Sequence, residues 1–172
     1  LQWIAKSLEN RNVQVDILDL NYELLKRVSE YESFEVKDWL KLLDEYLEKH
    51  DPSIVGVTCI NVSKLFEGDN TFTQLLEHLK KKERHIVMSG GASALNHYSD
   101  LLKMGLCHFI FDGEGEHQIN FLLDALFRED NGYPPSCKIL FHHNGKVTKS
   151  RGEDSFFQFK GNLISTYKYI PI

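Results

Sequence analysis

Residues 54–60 have the sequence Ile-Val-Gly-Val-Thr-Cys-Ile, a nearly continuous apolar run. Such a run is typical of a β-strand that is buried on both faces of a parallel sheet. Similar runs follow at residues 85–88 and 107–111, and helical patterns lie between and after them at about 71–82, 96–104 and 118–127. Strands that alternate with helices predict βαβ units. Right-handed crossovers then predict a doubly wound parallel α/β sheet with helices on both faces.

The residues before this run continue the pattern towards the N-terminus. Within residues 1–8, a helix would place Leu1, Ile4, Ala5 and Leu8 on one face. Residues 13–18 alternate in polarity and are rich in β-branched side chains, so we predict a strand there. Residues 22–50 predict helix in two pieces, of which the second spans 36–50. The proline at position 52 ends it, because a residue before proline avoids the helical region.

A different composition begins after Phe127. Residues 131–135 (Asn-Gly-Tyr-Pro-Pro) indicate a linker, and residues 139–147 predict a β-hairpin with Asn-Gly in its tight turn. Residues 128–172 carry seven basic and four acidic side chains, a net charge of +3 in a chain of net charge −5. We therefore predict an α/β domain over residues 1–127. A linker, a short C-terminal β appendage and a connector towards a downstream domain would follow, and a chain ending at Phe127 should stay folded.

The composition excludes several classes of protein. No run approaches the roughly 18 apolar residues of a membrane span, and a net charge of −5 argues against general nucleic-acid binding. Three scattered cysteines (Cys59, Cys107 and Cys137) form neither a disulfide framework nor a CxxC or CxxxCxxC motif. We therefore expect a cytoplasmic protein with no membrane or nucleic-acid partner.

Three loops rich in small and polar residues follow the predicted strands. They run from Thr58 to Ser63, from Ser89 to Ser93 and from Asp112 to Glu116. In open α/β sheets, ligands bind beyond the carboxyl ends of the strands, and small residues let a ligand approach the backbone. Three such loops at one edge favour a flat ligand that lies across the sheet end. The alternative is that they are ordinary turns, and the periodicity does not decide between the two.

The known phosphate-binding fingerprints are absent from these loops. Gly113-Glu114-Gly115 is followed by Gln118 where GxGxxG requires its third glycine, and this stretch carries two carboxylates that would repel a pyrophosphate. Glu114 and Glu116 form a candidate acid–base pair. The simpler interpretation is that acidic residues in a first helical turn complement the helix dipole. We predict no catalytic residue and no metal ligand in this chain.

The three loops resemble those of the cobalamin-binding domain that precedes the radical S-adenosylmethionine domain in a large enzyme superfamily. The resemblance is carried by residues 54–60, 89–93 and 111–116, and the Gly-Glu-Gly-Glu turn of the last is the most specific. Thr58-Cys59-Ile60 stands where an SxL motif would lie, with Ile60 30 positions before Gly90. A rival frame is the literal Ser63-Lys64-Leu65. The resemblance covers about residues 1–127 and implies a flavodoxin-like (Rossmann-like) fold.

The resemblance also implies a function and a site. The chain would be a cobalamin (vitamin B12) or corrinoid-binding module of a larger radical S-adenosylmethionine enzyme, a methyltransferase or a related enzyme. The 4Fe-4S cluster and S-adenosylmethionine would belong to a downstream radical domain of the same polypeptide, so this chain alone would not be catalytic. The residues implied in cofactor binding are Thr58, Cys59, Ile60, Asn61 and Ser63, then Ser89, Gly90, Gly91 and Ala92, and then Asp112, Gly113, Glu114 and Gly115.

The resemblance leaves part of the domain outside these residues. The DxHxxG loop that offers a cobalt ligand in many cobalamin domains would lie upstream of Leu1, and we expect no histidine of residues 1–172 to bind cobalt. The first strand would also lie upstream, where a flavodoxin-like order makes it central to the sheet. Two alternatives stay open: a flavodoxin-like domain for another small ligand such as flavin, and a cofactor-free docking domain.

Overall fold

The computed structural model describes residues 2–58, 70–127 and 138–150, and the strands in these ranges form one five-stranded sheet. The strands are β1 (Ile54–Thr58), β2 (Ile86–Gly90), β3 (Phe109–Phe111), β4 (Ile139–His143) and β5 (Lys146–Lys149). The helices are α1 (Gln2–Ser7), α2 (Leu20–Glu30), α3 (Trp39–His50), α4 (Thr71–Lys82), α5 (Ala92–Asn96), α6 (Tyr98–Lys103) and α7 (Gly115–Phe127), with a 3-10 turn (Val36–Asp38) before α3. None of the helices in the described ranges has the length and apolar character needed to cross a membrane.

The sheet is mixed, and its strands follow the order β1-β2-β3-β4-β5. The first three strands are parallel, and they are the three that the apolar runs predicted. The last two strands are antiparallel to their neighbours. The α/β, Rossmann-like fold class is therefore confirmed, with an antiparallel hairpin added to a parallel sheet.

Helices cover both faces of the sheet. On one face, Leu76 of α4 and Leu101 of α6 are fully buried in a cluster that includes Val87 of β2. On the other face, Leu122 of α7 is fully buried in a second cluster that includes Met88 of β2. Successive side chains of a strand point to opposite faces, so one apolar strand supplies both clusters. This explains why the central strands lack the polar alternation of a half-exposed sheet.

The helix boundaries follow local signals. The side chain of Asn70 accepts hydrogen bonds from two backbone N–H groups in the first turn of α4, and the helix predicted at 71–82 is confirmed. The helix predicted at 96–104 is instead divided into α5 and α6, because His97 departs from helical geometry with φ −121° and ψ 19°. The helix predicted at 118–127 begins three residues earlier, at Gly115.

The strand predicted at residues 13–18 is wrong. These residues have no strand assignment, and no ladder joins them to another strand of the described ranges. Their apolar side chains still pack: Val13 and Val15 lie against the cluster around α7, and Leu18 lies against the cluster on the opposite face. Side-chain packing therefore holds the segment in place without the ladder that defines a strand.

The predicted hairpin is confirmed, and its first strand pairs with β3 of the parallel part of the sheet. Asn144 and Gly145 have φ angles of 48° and 78°, as a tight turn between β4 and β5 requires. β4 pairs with β3, so that Phe141 lies opposite Phe109, and Ile139 is completely buried. The sequence predicted the hairpin but not its partner, because pairing between β3 and β4 depends on residues that are distant in the chain. The hairpin forms the last two strands of the described sheet.

An ion-pair network joins α3 to α4. Oδ1 of Asp44 lies 2.7 Å from Nε2 of His78 and 2.7 Å from Nζ of Lys82. Burial by itself would raise the pKa of Asp44, but the hydrogen bonds from His78 and Lys82 outweigh burial and lower it below its ordinary value. A lowered pKa means that this contribution to stability is present above the unfolded pKa of about 3.9 and is lost as the pH falls through the folded pKa.

We therefore expect Asp44→Asn to lower the free energy of unfolding at pH 7, by about 0.5–1 kcal/mol because the groups are partly exposed. The difference between variant and wild type should shrink as the pH falls through the folded pKa of Asp44. Urea denaturation at a series of pH values measures this. Asp51→Asn is the control, since the Asp51 side chain is 80% exposed and 3.8 Å from its partner Arg84. A difference that stays constant down to low pH would contradict the assignment.

Candidate functional site

The carboxyl ends of the three parallel strands lie together at one edge of the sheet. Thr58 ends β1 opposite Gly90, which ends β2, and Ser89 lies opposite Ile110 of β3. Oγ1 of Thr58 is 3.5 Å from the carbonyl oxygen of Gly90. The described parts of all three predicted loops therefore lie side by side. We call this region the strand-end edge, and it consists of Thr58, residues 89–92 and residues 112–115.

The loop after β2 presents main chain and not side chains. Gly91 is exposed, with φ 92° and ψ 168°, a region that residues with a side chain rarely adopt. Ala92 is also exposed and begins α5. Gly90 has more room, because a methyl group on it would lie 3.8 Å from Cβ of Phe111, an ordinary contact. Of these residues, Gly91 is the one whose backbone requires glycine.

Ser89 lies in this loop by sequence but belongs to the core by its side chain. The residue is 2% exposed, and its hydroxyl donates a hydrogen bond of 2.9 Å to the carbonyl oxygen of Val57. This bond joins β2 to β1 one residue before the strands end. Ser89 therefore stabilises the strand ends from within the core, whereas Gly91, two residues later, is exposed at the strand-end edge.

The loop after β3 is held by backbone hydrogen bonds on two sides. The backbone N–H of Asp112 donates a hydrogen bond of 2.9 Å to the carbonyl oxygen of Lys138. The backbone carbonyl oxygen of Asp112 accepts a hydrogen bond of 3.2 Å from Nε2 of Gln118. Gly113 has φ 111°, and a methyl group on it would lie 3.4 Å from Nε2 of Gln118. Glu114 follows and is exposed. The loop is thus a fixed, exposed turn whose glycine conformation is required.

A basic side chain that the sequence did not single out also lies at this edge. Lys149 of β5 forms an ion pair with Asp112. Two strand pairings place Lys149 at this edge. Lys149 lies opposite Leu140 in β4, and the adjacent Ile139 lies opposite Phe111, which ends β3. The Asn-Gly turn predicts the pairing of β4 with β5, but no local signal predicts the pairing of β4 with β3. The position of Lys149 beside Asp112 could therefore not be predicted from the sequence.

Gly115 serves packing between helices. It begins α7, and a methyl group on it would lie only 3.3 Å from Cδ1 of Ile4 in α1. The absence of a side chain lets α1 approach the start of α7 closely. The structure thus explains this glycine by its contact with Ile4, without reference to a ligand.

Three described residues, Glu116, Cys107 and His117, have structural explanations for their positions. Glu116 lies in the first turn of α7, where a carboxylate complements the helix dipole. Cys107 is buried before β3, and burial raises the pKa of its thiol to about 12, so it stays protonated. The ring of His117 packs edge-on against Phe121, with ring centroids 4.6 Å apart. Among the described residues, no three His, Cys, Asp or Glu side chains are grouped so as to hold a metal ion.

Four of the predicted site residues lie outside the described part of the chain. They are Cys59, Ile60, Asn61 and Ser63, which follow β1 directly. The structure therefore places Thr58, the loop after β2 and the loop after β3 together, and these four residues remain a prediction.

Comparison with known proteins gives no match to a family model and none to a curated protein. Two solved structures of the radical S-adenosylmethionine methyltransferase TsrM from Kitasatospora setae have a similar fold. One, with cobalamin and a 4Fe-4S cluster bound, has a TM-score of 0.66 and 18% identity over 92% of this chain and 26% of that chain. The other, with tryptophan substrate and the analogue aza-SAM bound, has a TM-score of 0.65 and 20% identity over 87% and 26%.

At these identities the similarity shows a shared fold. It agrees with the α/β architecture, which the strand order and the two helical layers establish independently. The chain spans about a quarter of the length of TsrM, 26% in both comparisons. The activity and substrates of TsrM as a whole are therefore not transferred to this chain by the comparison.

Proposed function

We propose that this chain is a cobalamin-binding module of a larger radical S-adenosylmethionine enzyme, of methyltransferase or related type. The observation that carries the proposal is the strand-end edge, where two loops with exposed glycines stand beside the end of β1. Open α/β sheets bind ligands at this position. The similarity to TsrM supports the proposal, because TsrM has been solved with cobalamin bound and shares its fold with 92% of this chain.

The residues of the edge fit a large, flat ligand that lies against main chain. Gly91 and Gly113 are both exposed, and both have positive φ angles of 92° and 111°. No Cβ therefore stands between the ligand and the backbone at these two points. We propose that the ligand-facing residues are Thr58, Cys59, Ile60, Asn61, Ser63, Gly90, Gly91, Ala92, Asp112, Gly113 and Glu114. Ser89 and Gly115 hold these residues in place through Val57 and Ile4.

This proposal assigns different roles to the cofactor, to this chain and to a downstream domain. Cobalamin, when bound, would supply a cobalt centre that can carry a methyl group. The residues of this chain would bind and orient the cofactor through backbone contacts at the strand-end edge. The 4Fe-4S cluster and S-adenosylmethionine would be held by a downstream radical domain of the same polypeptide. This chain alone is therefore not expected to turn over substrate.

Titration with hydroxocobalamin tests the proposal. We expect a saturable change in the visible spectrum at one cofactor per chain, and a red colour that stays with the protein through gel filtration. Flavin mononucleotide, titrated in parallel, should not bind. Binding of the flavin in place of hydroxocobalamin would contradict the proposal in favour of a flavodoxin-like domain. Binding of neither would contradict it in favour of a docking domain.

A further inference from the structure

Asp112, directly after β3, is held by three different parts of the chain. Its backbone N–H donates to Lys138 before β4, and its backbone carbonyl oxygen accepts from Gln118 of α7. Its carboxylate forms the ion pair with Lys149 of β5. The two backbone contacts fix the path of the main chain, and the ion pair fixes the side chain. The next residue, Gly113, is exposed with φ 111°, so the proposed ligand-facing glycine follows an anchored residue.

The ion pair spans β4, because its two residues lie to either side of that strand. Lys149 lies opposite Leu140 of β4, and Leu140 lies opposite Ile110 of β3, two residues before Asp112. Side chains that lie opposite each other, or two apart on one strand, share a face of the sheet. The side chains of Lys149 and Asp112 are therefore on the face where Ile110 and Leu140 are buried. Lys149 thus connects the loop after β3 to the second strand of the hairpin.

The backbone of Lys149 is itself held in place. The next residue, Ser150, forms two hydrogen bonds with Ile139, which is completely buried. The N–H of Ser150 donates to the carbonyl oxygen of Ile139 at 2.9 Å, and its hydroxyl accepts from the N–H of Ile139 at 3.0 Å. Lys149 therefore extends its side chain from a fixed point of the sheet, and its ammonium group can hold the carboxylate of Asp112 in one position.

The ion pair is too exposed to contribute much to the stability of the whole sheet. The side chains of Lys149 and Asp112 are 54% and 30% exposed, and ion pairs of this kind add little to the free energy of unfolding. An exposed loop opens locally at a much lower free energy than the core unfolds. A contact of modest strength therefore has its largest effect on the loop after β3, and not on the fold.

We propose that Lys149 is a positioning residue of the proposed cofactor site and acts through Asp112. The ion pair holds Asp112, which in turn holds Gly113 in the exposed conformation that lets a ligand approach its main chain. A binding loop that is ordered in advance loses less conformational freedom when the ligand binds, which raises affinity. The hairpin is then part of the binding unit, although the sequence predicts it outside the α/β domain. This inference rests on the proposed function, because it concerns the affinity for cobalamin.

Hydrogen exchange in the ligand-free 172-residue chain tests the positioning role without the cofactor. The reporter is the backbone amide of Asp112, which is hydrogen-bonded to the hairpin. Lys149→Met removes the charge but keeps an unbranched side chain, and we expect it to speed the exchange of this amide by about 3- to 5-fold. Lys146→Met, at an exposed position of the same strand, is the matched control and should leave the rate unchanged. The amide of His108, before β3, should be unaffected in both variants.

Titration with hydroxocobalamin tests the consequence for binding. We expect Lys149→Met to weaken binding by about 3- to 5-fold, and Lys146→Met to bind as the wild type does. Lys149→Arg should stay within about 2-fold of the wild type, because arginine keeps the positive charge and the N–H donor. Since Lys149 acts through Asp112, Lys149→Met should weaken binding no further in an Asp112→Asn background.

Four results would overturn the inference. An unchanged exchange rate of the Asp112 amide in Lys149→Met would show that the ion pair does not hold the loop. Equal acceleration at His108 would show a general loss of stability, and equal affinity of Lys149→Met and the wild type would show no role in binding. Additive losses in the double variant would show that Lys149 contacts the ligand directly. A wild-type chain that does not bind hydroxocobalamin would instead contradict the proposed function, and the exchange of Asp112 would still decide whether Lys149 positions the loop.

Discussion

A chain that ends after Phe127 is expected to lose its cooperative unfolding transition. The deletion removes β4, whose Ile139, Leu140 and Phe141 are 0%, 7% and 6% exposed, and it uncovers β3. Burial of one large apolar side chain contributes about 1.5–3 kcal/mol. Three such losses, together with the exposure of β3, approach the total stability of about 5–15 kcal/mol that is usual for a domain. Thermal unfolding followed by near-ultraviolet circular dichroism measures the transition.

A point substitution separates the role of the core from that of chain length. Ile139→Ala in the 172-residue chain is expected to lower the free energy of unfolding by about 2–5 kcal/mol, because it leaves a cavity at a completely buried position. His143→Ala, on an exposed position of the same strand, is the matched control and should change it by less than about 0.5 kcal/mol. A truncated chain with an unchanged transition would show that residues 1–127 fold independently.

Gly91→Leu is expected to weaken hydroxocobalamin binding by about 5- to 150-fold, since a clash of about 1–3 kcal/mol at the strand-end edge corresponds to that range. The leucine side chain would stand where the proposed ligand passes along exposed main chain. Titration followed by the visible spectrum measures the dissociation constant. Equal affinity of the variant and the wild type would remove Gly91 from the binding site.

The structure shows why this variant needs a control. Gly91 has φ 92°, so leucine strains the backbone as well as the site, and weak binding alone would be ambiguous. Gly105 also has a positive φ, 63°, and it lies between α6 and the amino end of β3, away from the strand-end edge. Gly105→Leu therefore introduces a strained side chain at a distance from the proposed site. It should lower the melting temperature but leave the affinity for hydroxocobalamin unchanged. Loss of binding in both variants would attribute the effect of Gly91→Leu to folding.

The elements of the sheet were predictable where their signal is local. The apolar runs at β1, β2 and β3, the helical pattern of α4 and the Asn-Gly turn all act within a few residues, and each predicted element is present. The strand predicted at residues 13–18 has the same local signal but no ladder among the described residues. A strand exists only with a partner, and the partner is not a property of the segment itself.

For the candidate site, the positions of the loops were predictable, but the residues that face outward were not. The position of the loops after β1, β2 and β3 follows from parallel pairing, which a βαβ pattern implies. Which residues of those loops face outward does not follow from the pattern. Ser89 turned out to be buried against Val57, and Gly115 to contact Ile4, whereas Lys149 arrived at the edge from a distant hairpin. These outcomes depend on contacts between residues far apart in the chain.

By itself, then, the sequence determined the α/β class, the three parallel strands and the edge of the sheet at which we propose that a ligand binds. Hydrophobic period, capping and turn chemistry are short-range effects, and the chain carries them wherever it folds. Only the tertiary structure decided that the hairpin pairs with β3, that β1 pairs with β2 alone among the described strands, and that Asp112 forms an ion pair with Lys149. Strand pairing and side-chain burial depend on contacts between segments that are distant in the chain, and those contacts form only in the complete fold.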